Sequence, residues 1–123
     1  MQVKIDTSEK FHVITIREKA LSANMTVDIR NKLSSILSDA IKNTILNLEE
    51  VDIAAVEVLQ EIVKIQEAFH QQNISFISCC VKSAVKIAIY EAGLVQRLNL
   101  VPTKSEAMDI IQMEEIEREL TGD

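Results

Sequence analysis

Few side chains in this sequence combine a type and a spacing that would support catalysis. His12 and His70 are isolated, with no Cys, Asp or Glu at metal-ligand spacing around them. Glu57 and Glu61 are four residues apart, but that spacing is also typical of a solvated helix face. No glycine-rich phosphate loop, kinase motif or nucleophile elbow occurs. We therefore predict a protein without a catalytic residue, a metal site or a cofactor, with His12 on a strand surface and His70 at the exposed end of a helix.

The two cysteines, Cys79 and Cys80, are adjacent in the sequence. Neighbouring residues of a strand point to opposite faces of the sheet, so we do not expect these thiols to form a disulfide. We expect one of them in the core and the other under a helix or near the surface. Reduced cysteines fit the cytoplasm, and residues 1–10 lack the apolar core of a secretory signal. The sequence also has no apolar run long enough to span a membrane, so we predict a cytoplasmic location.

The negative charge of the chain is concentrated at its C-terminal end. Residues 104–123 contain seven acids and two bases, a net −5 out of the total of −6. Nucleic-acid binding depends on lysine and arginine side chains that neutralise phosphates, so we exclude a nucleic-acid partner. Two interpretations of the acidic end remain open: a solvated helix face and a docking surface for a basic partner.

The apolar pattern predicts strands and helices in the order β-β-α-β-α-β-α-β-α. Two strands within residues 3–16 form a hairpin, and the other strands are expected at residues 45–48, 74–81 and 98–101. The helices are expected at residues 25–41, 54–71, 83–93 and 104–121. Strands that alternate with helices pair in parallel through right-handed crossovers. The predicted fold is therefore α/β, a single domain over residues 1–123 in which a mixed, mainly parallel sheet has an N-terminal hairpin and four helices.

Polar residues at the predicted helix starts favour particular N-caps. Asp52 precedes the second helix, Ser83 precedes the third, and Thr103 forms a capping box with Glu106 for the last. We expect an acidic last helix over residues 104–121 that leaves residues 114–119 in water. Its inward face is expected to consist of Ala107, Ile110, Ile111, Met113 and Leu120.

Three segments of the sequence resemble the STAS domain family in their order and spacing. They are LSANMTVDIRNKL at residues 21–33, TILNLEEVDIAAVEVLQEI at residues 44–62, and EAGLVQRLNLVPTKSEAMDII at residues 91–111. In STAS domains the second segment is a strand, a valine and then Asp-Ser-Ser-Gly at the start of a helix. The third segment is similar to the family's closing pattern of Gly-Leu, a short strand and Thr-x-x-Glu-Ala. The resemblance implies a STAS fold and a protein-binding function.

The best-known STAS proteins are anti-sigma-factor antagonists, which bind an anti-sigma kinase and release a sigma factor. Their switch is phosphorylation of the second serine of Asp-Ser-Ser-Gly. Here Asp52 matches the motif, whereas Ile53 and Ala54 replace the serines and Ala55 replaces the glycine. Ala54, at the position of the phosphoacceptor, has no hydroxyl group. The resemblance therefore implies a non-enzymatic binding module in which the usual serine switch cannot operate.

The resemblance places the partner-binding surface around the start of the second helix, at Glu50, Asp52, Ile53, Ala54, Ala55 and Glu57. An anti-sigma factor or kinase-like protein is the expected partner. Alternatively, the chain resembles the STAS subunits of ABC lipid-transport complexes, which clasp an ATPase and need no phosphorylation. A homodimer through a sheet edge or a helix face is a third arrangement. None of these arrangements involves direct insertion into a membrane.

Overall fold

Five strands form the main sheet of the computed structural model, which describes residues 1–122. Numbered along the chain, they are β1 (Val3–Thr7), β2 (His12–Ile16), β4 (Thr44–Asn47), β6 (Phe76–Cys79) and β7 (Leu100–Val101), in the spatial order β1-β2-β4-β6-β7. β1 and β2 form an antiparallel hairpin, and the remaining neighbours pair in parallel. The predicted mixed, mainly parallel sheet with an N-terminal hairpin is confirmed.

Four α-helices cover the two faces of this sheet: α1 (Thr26–Ser34), α2 (Val56–Gln71), α3 (Ser83–Glu91) and α4 (Lys104–Thr121). Alternate residues of a strand point to opposite faces, which divides the core in two. Ile14 and Leu46 belong to the larger core with α1, α2 and α3, whereas Val13 and Ile45 belong to the smaller core with α4. No helix within residues 1–122 combines the length and the apolar character needed to cross a lipid bilayer.

α1 is shorter than the sequence pattern predicts. The α-helix ends at Ser34 and continues as a 3-10 turn over Ser35–Ser38, after which Asp39 is extended. The Ser35 hydroxyl donates to the Lys32 carbonyl oxygen at 2.7 Å. Serine side chains compete in this way for backbone groups, and serine and aspartate favour the ends of helices over their interiors. The regular helix therefore ends well before residue 41.

His12 is buried, and the prediction that it lies on a strand surface is wrong. Its Nδ1 lies 2.8 Å from Thr7 Oγ1, and its Nε2 lies 2.8 Å from the Ile41 carbonyl oxygen. Both ring nitrogens have partners, as burial of a polar side chain requires. His12 thus joins the β1–β2 hairpin to the segment before β4. His70 lies exposed at the end of α2, as predicted.

The two cysteine side chains lie close together instead of pointing to opposite faces. Cys79 is the last residue of β6, and Cys80 leaves the strand with a φ of 65°. With this left-handed backbone, Cys80 Sγ lies 3.4 Å from Cys79 Sγ. The prediction that the two side chains point to opposite faces of the sheet is wrong, because side chains alternate in this way only within a strand and Cys80 lies outside β6. The expected burial is confirmed, since Cys79 is buried and Cys80 is half-buried.

Two short strands outside the main sheet form a parallel ribbon that the apolar pattern does not predict. They are β3 (Ala20–Leu21) and β5 (Ile53–Ala54). Strands of two residues offer too few positions for a period of two to be recognised. The ribbon joins the segment before α1 to the segment before α2, and it therefore positions the start of both helices.

Of the two caps predicted for α3 and α4, one forms. Thr103 Oγ1 accepts the Glu106 backbone N–H at 3.2 Å and caps α4, as predicted. Ser83 is instead the first residue of α3, whose N-cap is Lys82, and no side-chain capping bond forms there among the described residues. A residue inside the first turn cannot accept the orphan N–H groups as an N-cap does, so the prediction for Ser83 is wrong.

The inward face of α4 differs from the predicted one. Ala107 and Ile111 are buried against the sheet, and Ile110 is half-buried. Met113 and Leu120 are exposed, so the prediction that they face inward is wrong. Ala107 and Ile111, four residues apart, define the contact line, which places residues 113 and 120 on the opposite side of the helix.

Polar side chains occupy the inward face of α4 in its last turns. Asn43 and Ser75 directly precede β4 and β6, and three residues of α4 reach them. Arg118 Nη2 donates to Ser75 Oγ at 2.6 Å, and Asn43 Nδ2 donates to Glu115 Oε1 at 2.7 Å. The Ser75 hydroxyl also donates to the Glu114 carboxylate. The prediction that residues 114–119 lie in water is therefore wrong for these three residues, because they pair with buried polar groups at the amino end of the sheet.

Candidate functional site

The turn after β4 is held firmly at the carboxyl end of the sheet. Asn47, the last residue of β4, accepts the Glu49 N–H at 3.1 Å and donates to Thr15 Oγ1 at 3.3 Å. The Leu48 N–H donates to the Cys79 carbonyl oxygen at 3.0 Å. The carboxyl ends of parallel strands form the edge at which α/β folds commonly bind their ligands. The turn therefore places residues 50–57 at the edge of the sheet where ligand binding is common.

The ribbon of β3 and β5 fixes the chain between this turn and α2. The N–H groups of Asp52 and Ile53 donate to the Lys19 carbonyl oxygen at 2.7 and 3.2 Å, and the Ala55 N–H donates to the Leu21 carbonyl oxygen at 2.7 Å. These bonds keep residues 52–55 out of the helix, and α2 begins two residues later than predicted. The predicted start is wrong because the backbone donors of this segment already bind the chain before α1.

Asp52 is not the N-cap of α2, in contrast to the prediction. That position belongs to Ala55, which has no side-chain acceptor. Asp52 Oδ1 instead accepts a hydrogen bond from Lys82 Nζ at 2.6 Å. This hydrogen bond and the positive charge of Lys82 hold the pKa of the Asp52 carboxyl below its ordinary value. Both side chains are about half exposed, so the ion pair adds little stability and mainly fixes the charge beside β5.

Apolar side chains are exposed at the centre of the predicted partner surface. Ile53 is 60% exposed and Val56 is 41% exposed. Ala54 and Ala55 are half-buried against the larger core. An apolar group of this kind with a charged border is typical of protein-binding surfaces.

Charged side chains border this apolar group. Glu57 is exposed in the first turn of α2. Glu50 Oε2 lies 3.6 Å from Arg17 Nε, and both of these side chains are about half exposed. The six residues predicted from the sequence thus lie on one continuous stretch from the turn through β5 to the first turn of α2. Val56 is an exposed residue of this stretch that the prediction omitted, and its signal was an apolar residue on the polar side of a helical pattern.

Glu61 does not share a solvated helix face with Glu57. It is buried, and Arg30 of α1 donates to both of its carboxylate oxygens, with Nε 3.0 Å from Oε2 and Nη2 2.9 Å from Oε1. The hydrogen bonds from Arg30 lower the pKa of Glu61, although burial acts in the opposite direction. This pair fastens α1 to α2, the helix that carries part of the candidate surface.

The candidate surface contains no hydroxyl group between residues 50 and 57. Two serines lie on the neighbouring β6–α3 segment. Ser78 is buried in β6, and its Oγ has no hydrogen-bond partner among the described residues. Ser83 is exposed at the start of α3, next to Lys82. Of these two hydroxyls, only that of Ser83 is accessible to another protein.

No known protein-family profile matches the sequence, and no curated protein has a significantly similar sequence. Solved structures are similar to this chain. An anti-sigma factor antagonist from Mycobacterium paratuberculosis matches it with a TM-score of 0.78 and 14% identity, over 90% of this chain and 93% of that chain. An anti-sigma-factor antagonist (STAS) domain protein from Planctomyces limnophilus matches with a TM-score of 0.73 and 14% identity, over 89% of this chain and 96% of that chain.

A third similar structure is the anti-sigma factor antagonist SpoIIAA, a Bacillus cell fate determinant. Its unphosphorylated form matches with a TM-score of 0.71 and 17% identity, over 90% of this chain and 96% of SpoIIAA. Its phosphorylated form matches with a TM-score of 0.64 and 17% identity, over 89% and 99% of the two chains. At sequence identities this low, the structural similarity shows a common fold and no more. The protein described here has the STAS fold of anti-sigma-factor antagonists.

Proposed function

We propose that the protein is a cytoplasmic, non-enzymatic binding module that acts as anti-sigma-factor antagonists do, by holding an anti-sigma factor or kinase-like protein on the surface of residues 50–57. The observation that carries the proposal is the pair of exposed apolar side chains, Ile53 and Val56, between Asp52 and Glu57 on a STAS fold. Apolar anchors inside a polar rim are the usual anatomy of a specific protein interface.

The small side chains of Ala54 and Ala55 support the same surface in a second way. With only a methyl group each, they let the backbone of a partner approach β5 and the start of α2 closely. Neither can accept a phosphoryl group. A phosphate at residue 54 would add roughly −1.5 to −2 charges beside Asp52 and Glu57. This surface keeps a fixed charge instead, and binding is regulated by the amounts of the proteins or by competition.

Affinity capture from a native lysate tests the partner class. The tagged protein should retain an anti-sigma factor or kinase homologue, identified by mass spectrometry. Recovery of an ABC transporter ATPase would support the alternative of a lipid-transport subunit and contradict the proposal. Size-exclusion chromatography with light scattering measures in parallel whether the chain forms a homodimer.

Charge reversal tests the position of the surface. The double variant Asp52→Lys/Glu57→Lys should bind the captured partner at least about tenfold more weakly, which is about 1.4 kcal/mol. The matched control is Asp6→Lys/Glu9→Lys, which makes the same change of charge on the exposed β1–β2 hairpin. Circular dichroism confirms that both variants are folded. Equal binding by the two variants would place the interface elsewhere.

Phosphorylation tests the absence of the switch. Incubation with the captured kinase and ATP should leave residues 52–55 unmodified in intact-mass and peptide measurements. The variant Ala54→Ser restores the hydroxyl and is the positive control for access to the turn. Phosphate on the wild-type protein at Ser83, the exposed serine next to Lys82, would contradict the proposal of a surface without a switch.

A further inference from the structure

In its second half, α4 presents a cluster of polar residues to the protein and its large apolar residues to the solvent. Arg118, with an 18% exposed side chain, donates to Glu115 at 2.9 Å and to Ser75 at 2.6 Å. On the other side of the helix, Met113 is 60% exposed, Ile116 is 55% exposed and Leu120 is 82% exposed. A surface helix normally has the reverse arrangement.

The three exposed side chains form a continuous stripe. Their spacings of three and four residues place Met113, Ile116 and Leu120 on one line along the helix, which we call the outer stripe of α4. The packing of α4 on the sheet does not need them, because Ala107 and Ile111 fill the smaller core. Single exposed apolar residues are common on protein surfaces and need no explanation. A contiguous stripe of large apolar residues, in contrast, is typical of an interaction site.

Acidic side chains surround the outer stripe. Glu117 and Glu119 lie on its two sides, and Asp109 lies one turn before it; all three are exposed. Arg118 is the only base after Lys104, and it faces inward against Glu115. The outer side of α4 is therefore apolar along its centre and negative along both borders.

We propose that the outer stripe of α4 docks a basic amphipathic helix of a partner protein. The apolar face of such a helix covers Met113, Ile116 and Leu120, and its lysines or arginines meet Glu117 and Glu119 on either side. A second copy of this chain fits less well, because pairing the stripe with itself would bring the same acids together. α4 lies on the opposite face of the sheet from α1, α2 and α3, so this surface is separate from that of residues 50–57.

A synthetic peptide tests this surface directly. The probe is a helical peptide of leucine and lysine, with leucines three and four residues apart on one face and lysines on the borders. Methyl-labelled NMR of the full-length protein should show shifts at the methyl groups of Met113, Ile116 and Leu120, and none at Ile53. The variant Ile116→Ser/Leu120→Ser should weaken peptide binding at least about tenfold, whereas Ile5→Ser, which removes a 55% exposed side chain from β1, should not.

Two control peptides separate docking from mere charge attraction. A scrambled peptide of the same composition, without a continuous apolar face, should bind at least about tenfold more weakly, and a peptide with glutamate in place of lysine should not bind. Equal binding of the scrambled peptide, or unshifted stripe methyl groups, would overturn the proposal. A wild-type dimer in sedimentation experiments that becomes monomeric in Ile116→Ser/Leu120→Ser would overturn it too, in favour of a second copy.

Discussion

Arg30 and Glu61 form a two-point ion pair between α1 and α2, and its two partners differ in their environment. The Glu61 side chain is 7% exposed, whereas the Arg30 side chain is 48% exposed. The carboxylate therefore depends on Arg30 for its charge balance, while the guanidinium retains contact with water. Removal of one partner from a buried pair leaves an uncompensated charge, which costs more than the pair contributes when intact.

We predict that Arg30→Ala lowers the free energy of unfolding by about 2 kcal/mol. The control is Arg97→Ala, which removes an arginine from an ion pair with Glu67 whose side chains are both about half exposed; we expect about 0–1 kcal/mol there. Urea denaturation measures both. If both variants lost the same free energy of unfolding, burial of Glu61 would not be the reason for the larger loss expected in Arg30→Ala.

The pH dependence of this effect has a defined sign. Arg30 lowers the pKa of Glu61 in the folded protein, so the pair stabilises the fold above the ordinary pKa of the carboxyl and loses this effect as the pH falls through the lowered value. The difference between wild type and Arg30→Ala should therefore be full at neutral pH and shrink in acid below the ordinary carboxyl pKa, about 4.3.

Cys79 and Cys80 differ in access to reagents although their sulfur atoms are close. Burial raises the pKa of the Cys79 thiol and keeps it protonated, whereas Cys80 is partly accessible. We predict that one thiol of the folded protein reacts rapidly with a thiol reagent such as Ellman's reagent at pH 8. Cys80→Ser should abolish the rapid phase, and Cys79→Ser should retain it. A rapid phase that persists in Cys80→Ser would contradict the assignment.

At the scale of the elements, the helices of this protein begin in two different ways. α4 has a side-chain cap from Thr103, whereas α2 and α3 have Ala55 and Lys82 at their N-cap positions and, within residues 1–122, no side-chain capping bond. The ribbon of β3 and β5 orders the chain before α2, and its bonds to β3 take the place of a local capping signal. Capping motifs in a sequence therefore identify only those helices whose start is stabilised locally.

We predict that Thr103→Ala lowers the free energy of unfolding by about 1 kcal/mol, because the Glu106 N–H loses its acceptor at the start of α4. Ser83→Ala is the matched control at the start of α3, where the serine does not act as the cap, and it should change stability by less than about 0.5 kcal/mol. Thermal or urea unfolding measures both variants. A larger loss for Ser83→Ala would contradict the assigned caps.

At the scale of the whole molecule, the sheet separates two surfaces with different chemistry. On one side, α1, α2 and α3 build the larger core, and the start of α2 carries the candidate surface of residues 50–57. On the other side, α4 covers the sheet, and its polar cluster closes the amino end of β4 and β6. α4 therefore both completes the fold and offers a second surface.

We predict that deletion of residues 112–123 destabilises the domain by about 2–4 kcal/mol, because Asn43 and Ser75 lose hydrogen-bond partners at buried positions. The matched comparison is Ile116→Ser/Leu120→Ser, which changes only exposed side chains and should alter stability by about 0.5 kcal/mol or less. Calorimetry or denaturant unfolding distinguishes the two. A truncated protein as stable as the wild type would contradict the role of the polar cluster.

The sequence by itself determined the order of the main-sheet strands and the helices, the hairpin, the Thr103 cap of α4 and the absence of a hydroxyl at Ala54. These features depend on residue type and on contacts within a few positions along the chain. Apolar periods of two and of about 3.6 residues result from the geometry of a single strand or helix. They can therefore be recognised before any tertiary contact is known.

Only the tertiary structure decided which distant groups meet. Asp52 binds Lys82, Glu61 binds Arg30, and the start of α2 is set by its bonds to β3. α4 has apolar residues on both sides, so its sequence did not reveal which side faces the sheet; the buried polar groups at Asn43 and Ser75 selected the side with the acids and arginine. The physical reason is that these partners are about 30 to 70 positions apart, and a polar side chain is buried only where a partner from elsewhere in the chain satisfies it.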